Sequence, residues 1–327
     1  MKILVTGGAG FIASNVADAY VDAGHEVMVV DNLFTGKREN VNRKAKFYLL
    51  DIRDKDLRNV LVVEKPDIVN HHAAQMSVPA SVKDPLFDAD VNVKGLLNIL
   101  EASRYGGVKK VIFISSGGAI YGEAEEYPTS ERSQPQPLSP YAITKSVSEK
   151  YLEFYRRFHG LDYTSLRYAN VYGPRQIPHG EAGVAAIFMD RLLSGKSCVI
   201  NHFKEEPRGM TRDYCYVGDA VRANVLALER GGGEAYNIGT GMATHTEDLF
   251  NLIFEAIREK APGLPGSLGM PERMEARPGD LRRSCLNARK AKDGLGWEPL
   301  VGLEEGIKKT LEWRISSGES LKRTSGS

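Results

Sequence analysis

Short apolar runs rich in Val and Ile recur along the first half of the chain: KILVT, HEVMVVD, KFYLLD, DIVNHH, VKKVIFISS and DYTSLRYAN. They are apolar on both faces instead of alternating, as strands covered from both sides are. Between them lie stretches with helical spacing, FIASNVADAYVDAG, DPLFDADVNVKGLLNILEASRYG and YAITKSVSEKYLEFYRRFHG. Alternation of strand and helix predicts an α/β fold, a doubly wound parallel sheet with right-handed crossovers, over residues 1–170. Beyond residue 170 the pattern loosens into loops rich in Gly, Pro and charge, such as GPRQIPHGEAG and HFKEEPRGMTR, which predicts a smaller lobe over 171–320. A segment near 213–240, including RANVLALERGGGEAYNIG, has the composition to return to the first sheet. The polar, aperiodic residues 321–327 are expected to be a disordered tail or a cloning remnant.

Composition narrows the function classes. A chain of 327 residues, 42% hydrophobic and 26% charged with net charge +1, suits a globular protein. It gives no electrostatic case for binding nucleic acid or an anionic membrane surface. Cys198, Cys215 and Cys285 show no CxxC spacing and leave an odd count, so neither a zinc site nor a disulfide framework is expected, and no metal is assigned. The opening MKILVTGG reads as a strand entering a glycine turn and not as an export signal. No apolar run reaches the roughly 18 residues of a membrane span. A cytoplasmic location is the resulting expectation.

The first strand-to-helix junction, VTGGAGFIA, carries Gly7 and Gly10 ahead of Phe11 and Ile12. Glycine lets backbone approach a pyrophosphate, whose charge then rests on free N–H groups at the positive helix end. In a chain of alternating strands and helices this points to a Rossmann-type dinucleotide site. Asp31, followed by Asn32, closes the second strand, where a carboxylate can accept from the adenosine ribose hydroxyls and would repel a 2′-phosphate. NAD is therefore favoured, although Lys37 and Arg38 keep NADP open. Asp51, followed by Ile52, ends the third strand and reads equally as an adenine contact or as a cap ahead of Asp54.

The chemistry-bearing stretch is SPYAITK. Ser139 suits an N-cap, Pro140 the first helical position, and the apolar spacing onward fits an amphipathic helix. Tyr141 then lies in the first turn with Lys145 four residues on, on the same face. A phenol of pKa about 10 is a poor base at neutral pH. Lys145, an oxidised nicotinamide and the helix N-terminus would each favour phenolate. Tyr105 and Lys109 share the spacing but are separated by two glycines. Ser115 and Ser116 end the fifth strand, where open parallel sheets present ligand contacts.

Together TGGAGFIA, the Asp31 strand end, HHAAQMSV, SSGGAIYG, YAITK and RYANVYGP resemble the extended short-chain dehydrogenase/reductases, over residues 1 to about 315. Within them the chain is similar to the nucleotide-sugar 4-epimerases, the group typified by UDP-glucose 4-epimerase. The resemblance implies a tightly bound NAD, regenerated each turnover, and a UDP-sugar substrate. Tyr141 would be the base, Lys145 its electrostatic and ribose-binding partner, and Ser116 an assisting hydroxyl. Asn170 would bind the diphosphate, Arg212 and Arg277 would pair with its phosphates, and Asp280 would take the nucleoside ribose. Ser284 would stand at the gate beside the sugar C2′ substituent, where a small side chain admits N-acetylhexosamines as well as glucose and galactose. The chain departs from the pattern at Ala13, in place of a third glycine, and at Gly117, where many relatives carry the catalytic Ser or Thr.

Two other functions remain open. A nucleotide-sugar 4,6-dehydratase shares the first oxidation but needs an acid and a base after the serine, where this chain has Gly117, Gly118 and Ala119. A non-catalytic dinucleotide sensor would have no use for SPYAITK. Relatives often form homodimers through two helices per subunit, here LLNILEASR and SEKYLEFYRRF.

Overall fold

The computed structural model describes residues 1–178, 183–277 and 280–318. The tail at 321–327 lies outside them. The six apolar runs become β1 (Lys2–Thr6), β2 (Glu26–Asp31), β3 (Lys46–Leu49), β4 (Ile68–His71), β5 (Lys110–Ser116) and β6 (Asp162–Tyr168). Further along come β7 (Asn170–Tyr172), β8 (Val199–His202), β9 (Thr211–Tyr216), β10 (Glu234–Ile238), β11 (Ala243–His245), β12 (Glu272–Glu275) and β13 (Arg283–Ser284). A seven-stranded sheet runs in the order β10-β6-β5-β4-β1-β2-β3, every pair parallel. Its order reverses between β1 and β4, the switch point at which open α/β sheets bind ligands.

Two apolar layers sandwich this sheet. On one side Ile3, Val5, Val16, Val29, Ile112 and Trp297 are buried together; on the other Leu4, Met28, Leu57, Val69, Leu100 and Phe113 are. Alternate residues of each strand thus serve opposite layers, which explains why the strands read as unbroken apolar runs. A four-stranded sheet, with β9 between β11 and β13 and also paired to β7, forms the second lobe beside the two-stranded β8–β12 pair. β10 lies in the large sheet, so the chain re-enters it after β9.

One element departs from the pattern. The spacing over DPLFDADVNVKGLLNILEASRYG predicts a single α-helix, whereas the structure has Pro85–Ala89, a π-helical turn Asp90–Lys94, and only then Gly95–Gly106. All three cysteines are free and buried, as packing residues. No helix among the described residues is long and apolar enough to cross a membrane.

Candidate active site

The glycine turn is set by sterics. Gly7 has φ of +69°, and a Cβ there would stand 2.8 Å from the backbone nitrogen of Ala73. A side chain would therefore both strain the backbone and strike the segment following β4. That segment is the HHAA motif: His71 is buried with Nδ1 2.7 Å from Thr6 Oγ1, and Ala73 N–H donates to the same hydroxyl at 3.2 Å. Gly10 is the N-cap of helix Phe11–Asp22, and no side chain caps it. The N–H groups at Phe11 and Ile12 thus open the positive end of the helix toward the sheet's switch point, a cradle for phosphate.

Asp31 is buried, and burial raises its pKa. Its carboxylate accepts from Ala9 N–H at 2.9 Å and from Leu33 N–H at 2.8 Å, pinning the end of β2 to the glycine turn. An ionised carboxylate has roughly four lone-pair positions, so two remain for ribose hydroxyls. Asn32 donates to Asp51 at 2.8 Å. Asp51 also takes Arg53 through both its backbone N–H and its guanidinium, and these bonds hold its pKa down at about 2. Asp51 does not cap the helix that follows, which begins at Leu57 after Asp56; it fixes the turn after β3. Ile52 is buried against Gly95, where a Cβ would stand 2.6 Å from its Cδ1. Arg38 lies over the Phe47 ring at 4.3 Å.

Helix Pro140–His159 begins as its sequence predicts, with Ser139 Oγ accepting from Ala142 N–H at 3.2 Å and Pro140 in the first turn. Its buried face carries Lys145 beneath the end of β5. The Lys145 ammonium donates to the Ile114 carbonyl at 2.8 Å and stands 5.9 Å from the Tyr141 ring centre. The Ser116 hydroxyl favours the ionised form of the Tyr141 phenol, whereas the Ser115 hydroxyl is buried with no partner among the described residues. Of the two serines, geometry brings Ser116 to the tyrosine.

The electrostatics correct one expectation. Burial pushes the Tyr141 phenol up to about 12, offset only in part by the Ser116 hydroxyl. Lys145 is itself lowered to about 8 by burial, against the raising influence of Asp88 and Glu149. With its ammonium turned to the Ile114 carbonyl, the lysine does not overcome the cost of ionising a buried phenol.

The second lobe closes the other side. Arg212, on β9, donates to the carbonyls of Thr211 at 2.9 Å and Leu281 at 2.8 Å, and burial lowers its pKa. Among the described residues no carboxylate forms an ion pair with it. Ser284 pairs with Arg212 across β13 and β9. Asn170 Oδ1 and Ser284 Oγ face Gly118, at 3.5 Å and 3.8 Å from where its Cβ would lie. The Arg277 guanidinium is held by the Asn201 amide oxygen, once that amide is turned to satisfy both groups, and Arg277 N–H donates to Asp280 at 3.0 Å.

A family model described as NAD dependent epimerase/dehydratase family matches residues 3–239. The chain belongs to that family. It is similar to the UDP-glucose 4-epimerase of Thermotoga maritima solved with UDP-glucose, at 50% identity over 97% of this chain and 99% of that one, with a TM-score of 0.91. The Thermus thermophilus UDP-glucose 4-epimerase solved with NAD is 45% identical over 96% and 99% of the two chains, TM-score 0.86. The UDP-N-acetylglucosamine 4-epimerase of Methanobrevibacter ruminantium, in complex with UDP-N-acetylmuramic acid, is 34% identical over 97% and 98%, TM-score 0.87.

Within this family the glycine at 117 has a local cause. A Cβ there would fall 2.5 Å from Leu286 Cδ1 and 3.1 Å from the Arg167 carbonyl oxygen. Leu286 packs with Ile120 and Tyr121 and fills the space that a serine or threonine would need. Ala13 is buried in the packed layer beneath β1 and β2. Sequence reasoning missed the polar cluster of Gln75, Asp88, Asn92 and Thr144 beside the Tyr141 helix. The available signal was the pair Asp88 and Asn92, four apart and interrupting an apolar face.

Proposed function

We propose that the chain is an NAD-dependent UDP-glucose 4-epimerase, interconverting UDP-glucose and UDP-galactose, with Tyr141, Lys145 and Ser116 as its catalytic residues. The supporting observation is the Tyr141 phenol in the first turn of helix Pro140–His159, with buried Lys145 on the same face 5.9 Å from its ring and bonded to the end of β5. Gly7, Gly10, Phe11, Ile12, Asp31, Asn32, Asp51 and Ile52 would hold NAD: the uncapped helix end suits its pyrophosphate and Asp31 its ribose. When bound, that cofactor supplies a site that takes hydride from the sugar and gives it back.

The protein's residues account for the remainder. Tyr141 takes the 4′-hydroxyl proton as the carbinol is oxidised, Ser116 bridges the two oxygens, and Lys145 would hold the cofactor ribose and keep positive charge beneath them. Arg212, a buried cation bonded to backbone carbonyls and the Met210 sulfur with no carboxylate in ion-pair contact among the described residues, suits the substrate diphosphate, with Asn170 and Arg277 alongside and Asp280 on the nucleoside ribose. Fixing the diphosphate lets the 4-keto sugar turn its other face, and Tyr141 returns the proton as hydride comes back. Proton and hydride leave and return, so no redox equivalent is consumed. Ser284 and Gly118 leave room at the sugar, so the N-acetylhexosamine pair is accepted too. Residues 1–170 with β10 form the cofactor half, and most of 171–320 the sugar-nucleotide half.

A homodimer is supported by the apolar outer face of helix Pro140–His159, where Ile143, Val147, Phe154 and Phe158 are exposed. Purified protein incubated with UDP-galactose and no added cofactor should produce UDP-glucose while its bound NAD remains constant. Stoichiometric consumption of NAD, or loss of water to a 4-keto-6-deoxy product, would overturn the assignment in favour of a dehydrogenase or dehydratase.

A further inference from the structure

Beneath the catalytic helix lies a charge the mechanism above does not use. Asp88 is fully buried at the end of the short helix Pro85–Ala89. Its Oδ2 accepts from Thr144 Oγ1 at 2.8 Å; its Oδ1 accepts from Gln75 Nε2 at 2.7 Å and Asn92 Nδ2 at 3.1 Å. These donors are neutral, and among the described residues no Lys or Arg forms an ion pair with it. A carboxylate in that position is costly unless a structure depends on it. Three segments meet there. Gln75 belongs to the stretch after β4 that packs on the glycine turn, Asn92 to the π-helical turn, and Thr144 to the first turns of the Tyr141 helix. The single Thr144 hydroxyl hydrogen is shared between Asp88 and the Tyr141 carbonyl, 3.0 Å from Thr144 Oγ1, and Thr144 directly precedes Lys145. A π turn shifts the face a helix presents and recurs at functional sites; here it turns Asn92 inward to the same carboxylate.

We propose that Asp88 is a positioning residue, whose buried carboxylate locks Thr144, and through it Tyr141 and Lys145, onto the cofactor-side loop. The inference rests on Tyr141 and Lys145 being the catalytic pair. Asp88 also makes the phenol harder to ionise and the ammonium easier to keep. The other charged and titratable groups around the pair are Glu149, one turn beyond Lys145, and His71 and His72 at the end of β4, both kept neutral by burial. Asp90 and Lys94 of the π turn pair with each other and, through Asp90, with Arg53 at the surface; Lys83 is exposed.

The test is a set of variants of the NAD-bound protein, with kcat followed against pH. Asp88→Asn should lower kcat roughly 10- to 100-fold with KM within about threefold and NAD content unchanged. Its acid limb should move to lower pH, because the phenol loses a facing negative charge. Thr144→Val should give the same loss, Thr144→Ser should restore activity, and the double Asp88→Asn, Thr144→Val variant should be no worse than either alone. An unshifted limb with kcat close to the parent's, or additive losses in the double variant, would overturn the proposal. If Asp88→Asn fails to fold, the Thr144 pair still decides, through the Val loss and the Ser rescue. Failure of the epimerase assignment would appear in the parent protein, as absence of interconversion, and so is distinguishable.

Discussion

The chain holds two Tyr–Lys pairs of identical spacing, and they have different surroundings. Tyr105 ends helix Gly95–Gly106 half exposed, its ring covered by the guanidinium groups of Arg58 and Arg104 at 3.4 Å and 4.3 Å. Gly107 then turns the chain in the left-handed region, and Lys109 pairs with Asp67 at 2.7 Å. Tyr141 opens a helix instead of closing one, and Lys145 is buried beneath β5. Four residues of spacing bring two side chains to one face only where the helix continues between them. What separates the two pairs is the helix start, the burial and the serine at the strand end.

The largest effect should come from breaking that contrast. Tyr141→Phe is expected to lower kcat by roughly 10²–10⁴ while NAD stays bound, and Tyr105→Phe should leave turnover unchanged; equal kinetics for both would remove the distinction. Next, Arg212→Ala should raise KM for the UDP-sugar roughly 10- to 150-fold, the weight of a hydrogen bond to a charged group, measured by initial rates. Arg212→Lys should recover only part, because an ammonium cannot form the bidentate contact. Ser116→Ala should cost about tenfold in kcat, one neutral hydrogen bond, and Ser115→Ala much less. The smallest effect on the parent reaction belongs to Ser284→Tyr, which should spare UDP-galactose while suppressing UDP-N-acetylgalactosamine; equal turnover of both sugars would remove the gate.

The first half of the chain was largely legible in the sequence because its signals are local. Gly7 and Gly10 sit within one turn, Asp31 ends a strand whose apolar run is plain, and Ser139, Pro140, Tyr141 and Lys145 lie within seven residues. The second lobe is different. Its sheet joins β7, β9, β11 and β13, which are short and far apart in the chain. They are held by Asp213, which accepts from the backbone of Thr240, Gly241 and Leu286. Without the family resemblance, Arg212 and Arg277 read as solvated surface charges, since nothing local marks a cation that will lose its water. The π turn at Asp90–Lys94 escaped because one extra residue per turn leaves the apolar spacing nearly helical. The glycine at 117 could not be explained before Leu286 was seen against it.

The same burial that distinguishes Tyr141 also opposes its ionisation, since the surrounding protein pushes the phenol up to about 12. It can serve as a base near neutral pH only if the positive charge of an oxidised nicotinamide makes up the difference. The direct measurement is a tyrosinate absorbance titration of the protein carrying oxidised and then reduced cofactor, with Tyr141→Phe as the blank. A phenol titrating at clearly lower pH in the oxidised form, and missing from the variant, is the predicted result; the same midpoint in both redox states would contradict it.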